Sequence, residues 1–337
     1  AVAAVSSVCE RARTDSNIGF YQLLARQRGE ADLGDPEFVL RRALRQHDHG
    51  ARCKTVELRN HDLIKLGQAA VLREDSAALS QYVAQVDERE LLGKYPEQFA
   101  ELEAELAILR HDGSAADDAL DRLASHLDDD FSPESEWRFH MLRADAALLK
   151  NDSATAIEAY RAAERELSQF WARTRSKSLQ ERWLSSYRQS ALRLTSELVS
   201  AQRLSEAACA ARVARTRALQ DPSTSRDLPT AARCDRAWAR HLGELTFLII
   251  PRENQSRWWV FMIEDEQVTS LREVDALPPD VDLSTAPRWW DPWSDALQRS
   301  TRVRVLASRD ALQVPLHELG WHAEALGRQR PISYGLD

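Results

Sequence analysis

The first 220 residues carry almost no signal for β-structure, and this feature limits the fold more than any other. Ala, Leu, Arg and Glu dominate this stretch, Gly and Pro are sparse, and runs of β-branched residues are absent. Apolar residues recur at spacings of three and four, which is the period of one helix face. Two clear runs are Phe99, Leu102, Leu106 and Leu109, and then Leu179, Trp183, Tyr187, Ala191, Leu194 and Leu198. The pattern predicts helix after helix over residues 1–220.

Short polar segments interrupt this pattern where one helix should end and the next should begin. They lie at residues 111–114, 128–133 and 151–153, and each contains Asp and Ser. Side chains of these types accept hydrogen bonds from the free N–H groups of a first helical turn. We therefore expect helix–turn–helix units of about 34 to 40 residues, which is the sequence signature of a stacked array.

The clearest unit begins at Trp137. Small or aromatic residues occupy its inner positions: Ala144, Ala147, Ala156, Tyr160 and Ala163. Its second helix resembles that of the tetratricopeptide repeat, which has an Ala, an aromatic and a second Ala at these offsets. Its first helix departs from that family, with Ala147 where an aromatic is usual. Two looser copies end in residues 114–123 and 204–214, so we expect a tetratricopeptide-like helical solenoid over residues 1–220.

The character of the sequence changes near residue 220. Residues 221–229 are polar and contain two prolines, and residues 221–244 are predicted to be a connector and a linking helix. Short apolar or alternating runs follow and predict strands at residues 245–250, 257–263, 267–272, 302–307 and 331–334. A helix is predicted to open at residues 289–293 and to run to about Arg299. The first three strands indicate a meander, and residues 245–337 are predicted to be α/β material.

Three stretches of the second half carry a family resemblance. One is an Ala- and Arg-rich helix at residues 205–219, and another is the strand pair at residues 245–250 and 258–263. The most specific stretch, residues 303–319, contains Asp310, Leu312, Pro315, Leu316 and Leu319. Together they resemble the start of a CHAT domain, a caspase-like protease fold usually placed after tetratricopeptide repeats. In that family a strand leads into an Asp-Gly turn, a Leu, a Pro and an apolar helical turn, and Ala311 replaces the usual Gly here.

The resemblance implies that residues 245–337 are the first, incomplete part of a caspase-like α/β domain. In CHAT proteases the catalytic His and Cys follow the strand that corresponds to residues 332–334, so both would lie beyond this chain. We therefore assign no catalytic residue, no cofactor and no metal ligand. An open sheet without its later strands would expose an unpaired edge. We expect that the natural protein continues past Asp337 or that another polypeptide supplies those strands.

Two hypotheses about function follow. In the first, the chain is the regulatory and partner-binding portion of a bacterial CHAT cysteine protease, of a kind that often serves defence by cutting a partner protein. In the second, it is a non-catalytic tetratricopeptide-repeat scaffold or adaptor. Both give the solenoid groove a protein or peptide partner, because stacked repeats build an extended concave surface. By family resemblance the first helix of each repeat lines the groove, and helical phase then makes Arg138, Met141 and Asp145 the candidate partner-binding residues.

Composition argues against several other classes of protein. The net charge of −8 disfavours a general nucleic-acid binder, although residues 161–220 hold 12 basic and 5 acidic residues and keep that reading as a third hypothesis. Only 11 Gly are present, and no phosphate-binding glycine loop is found. No apolar run reaches the roughly 18 residues of a transmembrane helix. We expect a cytoplasmic protein with neither a membrane nor a nucleic-acid partner.

The cysteines leave the cellular compartment open. Cys9, Cys53, Cys209 and Cys234 form no Cys-x-x-Cys pair and no zinc-like spacing. Reduced thiols in a cytoplasmic protein are the simpler expectation, with Cys209 packed inside a repeat. If residues 1–5 instead follow a removed signal peptide, the protein is exported and Cys9 is able to pair with Cys53.

Aromatic and histidine residues of the second half have two readings each. Trp289, Trp290 and Trp293 either dock a partner or pack between the solenoid and the α/β unit, and we favour packing. His317 and His322 flank the Pro315 turn, and we interpret them as surface or packing residues rather than as half of a catalytic dyad.

Overall fold

The structure is a computed structural model. It describes residues 2–27, 33–49, 56–91, 95–126, 133–173, 189–219, 238, 241, 243–252, 256–278, 288–308, 311–322 and 324–335. The chain divides into two compact units, Ala1–Ala159 and Tyr160–Asp337. The protein is mainly helical, with a small mixed sheet at its C-terminus, as the sequence predicts.

Helices make up the first unit. They are α1 (Val2–Gln27), α2 (Pro36–His49), α3 (Val56–Val71), α4 (Ser76–Val83), α5 (Pro96–Leu109), α6 (Gly113–His126) and α7 (Pro133–Leu149). A further helix, α8 (Ser153–Arg173), begins in the first unit and ends in the second. The predicted apolar face of α5 is confirmed, because Phe99, Leu102 and Leu106 are all buried.

Among the described residues of the second unit, two helices lie entirely before its sheet. They are α9 (Gln189–Ser200) and α10 (Leu204–Leu219), and they pack against each other. Ala191, Leu194 and Leu198, which end the second predicted apolar run, are buried in α9. The earlier part of that run lies outside the described residues.

Helix hairpins α3–α4, α5–α6, α7–α8 and α9–α10 share one turn geometry. In each turn a single residue has a positive φ: Glu74 (56°), His111 (57°), Asn151 (57°) and Gln202 (59°). The N–H of the next residue bonds to a carbonyl five residues earlier: Asp75 to Ala70 (3.0 Å), Asp112 to Ala107 (2.9 Å), Asp152 to Ala147 (3.0 Å) and Arg203 to Leu198 (2.8 Å). This is the Schellman ending, which satisfies carbonyl groups that the helix itself leaves free.

Three of these turns use one aspartate for two purposes. The backbone N–H of each aspartate donates to the preceding helix, as described above. Its carboxylate accepts a hydrogen bond from a backbone N–H of the following helix: Asp75 from Ala78 (2.9 Å), Asp112 from Ala115 (3.0 Å) and Asp152 from Thr155 (3.0 Å). Each aspartate thus helps to end one helix and caps the next. The caps predicted at residues 111–114 and 151–153 are confirmed, whereas residues 128–132 lie outside the described part.

The first unit has two kinds of core. Large side chains fill the space around α3: Leu40, Leu63, Ile64, Leu66, Leu79, Tyr82, Phe99 and Leu102. Small side chains dominate between α5, α6 and α7: Ala100, Ala104, Ala107, Ala116, Ala119 and Ala146. Gly67 belongs to the first region, where a Cβ atom at its position would lie 2.7 Å from Cδ1 of Leu102. The helix backbones therefore approach closely at both places.

The sheet of the second unit is mixed. Its strands are β1 (Glu244–Pro251), β2 (Arg257–Glu264), β3 (Gln267–Asp275), β4 (Arg302–Ala307) and β7 (Ile332–Tyr334). The order is β3-β2-β1-β4-β7, with β1–β2 and β2–β3 antiparallel and β1–β4 and β4–β7 parallel. Two short strands, β5 (Gly320–Trp321) and β6 (Glu324–Ala325), pair separately. The predicted meander and all five predicted strands of the main sheet are confirmed.

Both faces of the sheet are covered. On one face Phe247, Trp258 and Val305 pack against residues of the helix α11 (Ser294–Arg299) and the turn before it, and α12 (Leu326–Gln329) adds Leu326. Alternate strand residues that point the other way, such as Leu248, Phe261 and Leu306, are buried too. The helix α10 packs against β1 and β3. It therefore covers the second face.

Domain boundaries at 1–220, 221–244 and 245–337 stay a prediction. Residues 220–237 lie outside the described part of the chain. The solenoid and the caspase-like assignment also stay predictions.

Candidate functional site

The three candidate partner-binding residues lie on α7. Met141 is buried, and Arg138 and Asp145 are partly exposed. Nε of Arg138 lies 2.8 Å from Oε1 of Glu101 on α5. Burial raises the pKa of Glu101, and the Arg138 charge opposes that rise. The structure thus gives Arg138 a partner within the unit, and the partner-binding role of all three residues stays a prediction.

A buried polar cluster lies where α1, α2 and α3 meet. The hydroxyl of Ser16 donates to Oδ1 of Asp62 at 2.5 Å, and Nζ of Lys65 donates to the Ser16 hydroxyl at 3.0 Å. Nε2 of His47 lies 3.3 Å from Oδ2 of Asp62, and these two side chains are only 3% and 1% exposed. The ammonium of Lys65 also lies 5.1 Å from the ring centre of Phe20. The sequence analysis missed this cluster entirely.

Burial dominates the electrostatics of this cluster. Desolvation raises the pKa of Asp62 to about 6, although the Ser16 hydrogen bond and the Lys65 charge both lower it. Desolvation likewise lowers the pKa of Lys65, and the Asp62 charge opposes that change. Ser16 is only 5% exposed, so a substrate has no access to its hydroxyl. The arrangement is suited to a structural, proton-sensitive role rather than to nucleophilic catalysis.

A second buried cluster joins α10 to the sheet. Arg212 and Arg215 of α10 and Arg304 of β4 are all less than a tenth exposed. The guanidinium of Arg212 lies 4.5 Å from the ring centre of Trp238. Arg304 donates to the carbonyl of Trp238 at 2.5 Å. Arginine side chains are rarely buried without such partners, so this region is held together by specific polar contacts.

The described cysteines are oxidised. Cys9 and Cys209 are both disulfide-bonded, and no free cysteine occurs among the described residues. The expectation of reduced thiols is therefore wrong for these two residues, and so is the interpretation of Cys209 as a simple packing cysteine. Cys53 and Cys234 lie outside the described part. Neither Cys9 nor Cys209 is able to act as a thiolate nucleophile in this state.

The tryptophans near residue 290 are core residues of the second unit. Trp290 and Trp293 are 0% and 3% exposed and pack against Phe247, with ring centres 4.9 and 5.5 Å away. Nε1 of Trp290 donates to the carbonyl of Leu316 at 2.9 Å. The preference for packing over partner docking fits these two residues, but the expected place, between the solenoid and the α/β unit, is wrong, because their contacts lie inside the core of the second unit. Trp289 is half-buried beside them.

The two histidines of this region lie on the surface. Nδ1 of His317 is 3.1 Å from the hydroxyl of Tyr334, and the backbone N–H of His317 donates to the same hydroxyl at 3.1 Å. Partial burial raises the pKa of Tyr334, and the hydrogen bond from His317 opposes that rise. His322 donates its N–H to Oδ1 of Asp291. Their interpretation as surface residues is confirmed.

Within the described ranges, no group of three His, Cys, Asp or Glu side chains is placed to hold a metal ion. None of the described helices combines the length and the apolar character that crossing a bilayer requires. No protein-family model matches this chain, and neither does any curated protein.

Proposed function

We propose that this chain is the regulatory and partner-binding portion of a caspase-like (CHAT) cysteine protease, whose catalytic His and Cys lie beyond it. The order of the sheet carries the proposal. An antiparallel meander, β1 to β3, grows to one side of β1, and the parallel strands β4 and β7 grow to the other. A sheet built this way begins with a hairpin and extends through parallel strands, as the sequence resemblance implies.

The stretch of strongest resemblance is also well placed in the core. Leu316 and Leu319, which follow β4, are 0% exposed and pack with Val305. Ala311, which replaces the usual Gly, is 0% exposed as well. A turn directly after a parallel strand, followed by Pro315 and by buried Leu316 and Leu319, fits the family pattern, although Leu312 is exposed. This agreement supports the family assignment.

The helix hairpins give the partner-binding part of the proposal. Four hairpins in the described residues share the same turn. In each, the residue after the positive-φ position accepts a backbone N–H from a buried residue four positions further on: Leu79, Ala116, Ala156 and Ala207. Repetition of one local structure is what a solenoid requires, and solenoids bind partners along a concave surface. We assign this part the recognition of a protein or peptide, in a bacterial defence system that cuts a partner protein.

The oxidised cysteines favour the exported alternative over a cytoplasmic one. Disulfides persist in oxidising compartments and are rare where thioredoxin and glutathione keep thiols reduced. Cys9 and Cys209 are both disulfide-bonded. We therefore propose that the protein works outside the reducing cytoplasm.

The second candidate is a non-catalytic tetratricopeptide-repeat scaffold. The repeated hairpin turns favour it as well, because a scaffold needs only stacked helices and no catalytic residue beyond this chain. In this case the sheet would serve only to bind other polypeptides.

One experiment separates the two candidates. The intact mass of the natively expressed protein is measured, and its C-terminal peptide is identified. A mass well above 38.2 kDa, with a downstream Cys whose change to Ala stops cleavage of a co-purified partner, supports the protease. A natural end at Asp337 with no second polypeptide contradicts it and favours the scaffold.

A further inference from the structure

The edge strand β7 is short and is held by side chains as well as by its ladder, since Ser333 donates to Glu244 and the Tyr334 hydroxyl bonds to His317. It has only three residues, pairs with β4, and has no neighbouring strand on its other side among the described residues. Ser333 and Tyr334 are exposed, and Ile332 is half-buried. Strands this short are marginal unless other groups hold them in place.

Arg215 of α10 supplies such a group. Its Nε donates to the carbonyl of Ala307 at 2.9 Å, and its Nη2 donates to the carbonyl of Gly335. Ala307 is the last residue of β4, and Gly335 directly follows β7. The planar guanidinium therefore bridges the carboxyl ends of two adjacent parallel strands at the point where their ladder stops. Arg215 is 2% exposed, so water competes little for these bonds.

A second route joins α10 to the same place. Arg212, one turn before Arg215, lies over the ring of Trp238, and Arg304 donates to the Trp238 carbonyl. A Cβ atom at Gly335 would lie 2.9 Å from Nε of Arg304 and 2.4 Å from Cδ2 of Leu306. The residue after β7 is thus enclosed by groups that α10 contacts directly or through Trp238.

We propose that α10 controls the edge strand of the sheet, with Arg215 as the residue that positions β7. While α10 lies on the sheet, β7 stays in register with β4. Loss of the Arg215 hydrogen bonds to Ala307 and Gly335 would loosen the carboxyl end of β7, where the ladder to β4 stops. The control of β7 rests on these contacts alone. Its meaning as regulation of a protease rests on the proposed function, because the sheet edge would then lead to the catalytic residues.

Hydrogen exchange on this chain tests the proposal. The probe is the amide of Gly335, which donates to the carbonyl of Val305 at 3.0 Å. In Arg215→Met its exchange is expected to rise roughly tenfold to a hundredfold, the effect of losing hydrogen bonds to a charged group. Amides of the β1–β2 hairpin are expected to keep their exchange rates. Arg215→Lys keeps the charge but lacks the planar guanidinium that bonds to both carbonyls. An intermediate rise in the Gly335 exchange rate is expected.

Glu206→Gln is the matched control on the same helix. Glu206 accepts hydrogen bonds from Arg161 and Arg203 at the surface and lies in the first turn of α10, at the other end of the helix from Arg215. Its change should leave the Gly335 amide unaffected. An unchanged Gly335 amide in both Arg215 variants would overturn the proposal, and so would an equal rise in all strands. Hydrogen exchange does not depend on protease activity. If the natural protein proves to end at Asp337, the protease proposal fails, but the proposal that Arg215 positions β7 is still tested by this experiment.

Discussion

Ser16 donates a 2.5 Å hydrogen bond to Asp62, and this bond joins α1 to α3 inside the first unit. The two residues are 46 positions apart, and Lys65 and His47 complete the group around the carboxylate. Asp62 is 0% exposed, so its charge is held by three neighbours instead of by water. Because burial changes the pKa of Asp62 between the unfolded and the folded state, the stability of the first unit depends on pH.

The first prediction concerns this pH dependence. Burial raises the pKa of folded Asp62 from 3.8 to about 6, so the folded protein binds this proton more tightly than the unfolded chain does. The contribution of Asp62 to the free energy of unfolding is then largest below pH 4 and falls as the pH rises to 6. Two pKa units correspond to about 3 kcal/mol. Denaturant unfolding between pH 4 and 7.5 should show this fall in the wild type relative to Asp62→Asn.

An exposed carboxylate provides the control. Asp118 on α6 lies at the surface, and Asp118→Asn should follow the wild-type pH curve. Parallel curves for the wild type and Asp62→Asn would contradict the prediction.

A second prediction tests the hairpin turns. Asp112→Ala removes the carboxylate that caps α6 through the Ala115 N–H, and a lost cap costs about 1 kcal/mol. Asp118→Ala removes an exposed aspartate from the interior of the same helix, where no cap is lost. Denaturant midpoints of both variants measure the difference. Equal midpoints would show that the cap contributes nothing.

The helices and strands were predictable because their signals are local. Asp112 and Asp152 lie in short polar turns between apolar runs, and both turns formed as predicted. The α3–α4 hairpin uses the same geometry through Glu74 and Asp75 but was not proposed as a repeat copy. Its cap follows a charged rather than a small polar sequence, and Leu79 stands where the other hairpins have Ala. A search for small residues alone overlooks it.

The polar clusters and the oxidised cysteines were not predictable in the same way. Lys65 interrupts the apolar run of Leu63, Ile64 and Leu66, and Asp62 directly precedes it; these two positions were the only local signal of a buried polar group. Their partners come from other helices, and spacing along the chain does not reveal those contacts. Arg215 is equally silent in sequence, because an arginine near the end of a helix usually faces water.

A third prediction compares two glycines. Gly67→Ala places a Cβ atom 2.7 Å from Leu102 and 3.3 Å from Leu79, so the packing of α3 on α5 must shift at a cost of about 1 to 3 kcal/mol. At Gly113 the nearest atom is Cγ of the flexible Lys150 side chain, 3.1 Å away. Gly113→Ala should therefore be neutral or slightly stabilising. Thermal unfolding of both variants decides, and a neutral Gly67→Ala would mean that α3 and α5 are loosely packed.

The last prediction concerns the disulfides of Cys9 and Cys209. Protein purified without reductant should react with no thiol reagent at either residue, and alkylated peptides that contain them should appear only after reduction. Cys209→Ser is expected to lower the free energy of unfolding by about 2 to 4 kcal/mol, since a disulfide mainly restricts the unfolded chain. Ser205→Ala serves as the control for a small change on α10, because Ser205 lies on the same helix and is exposed. Rapid alkylation of Cys9 and Cys209 in native protein would contradict the oxidised state, and the proposal that the protein works outside the reducing cytoplasm would fail with it.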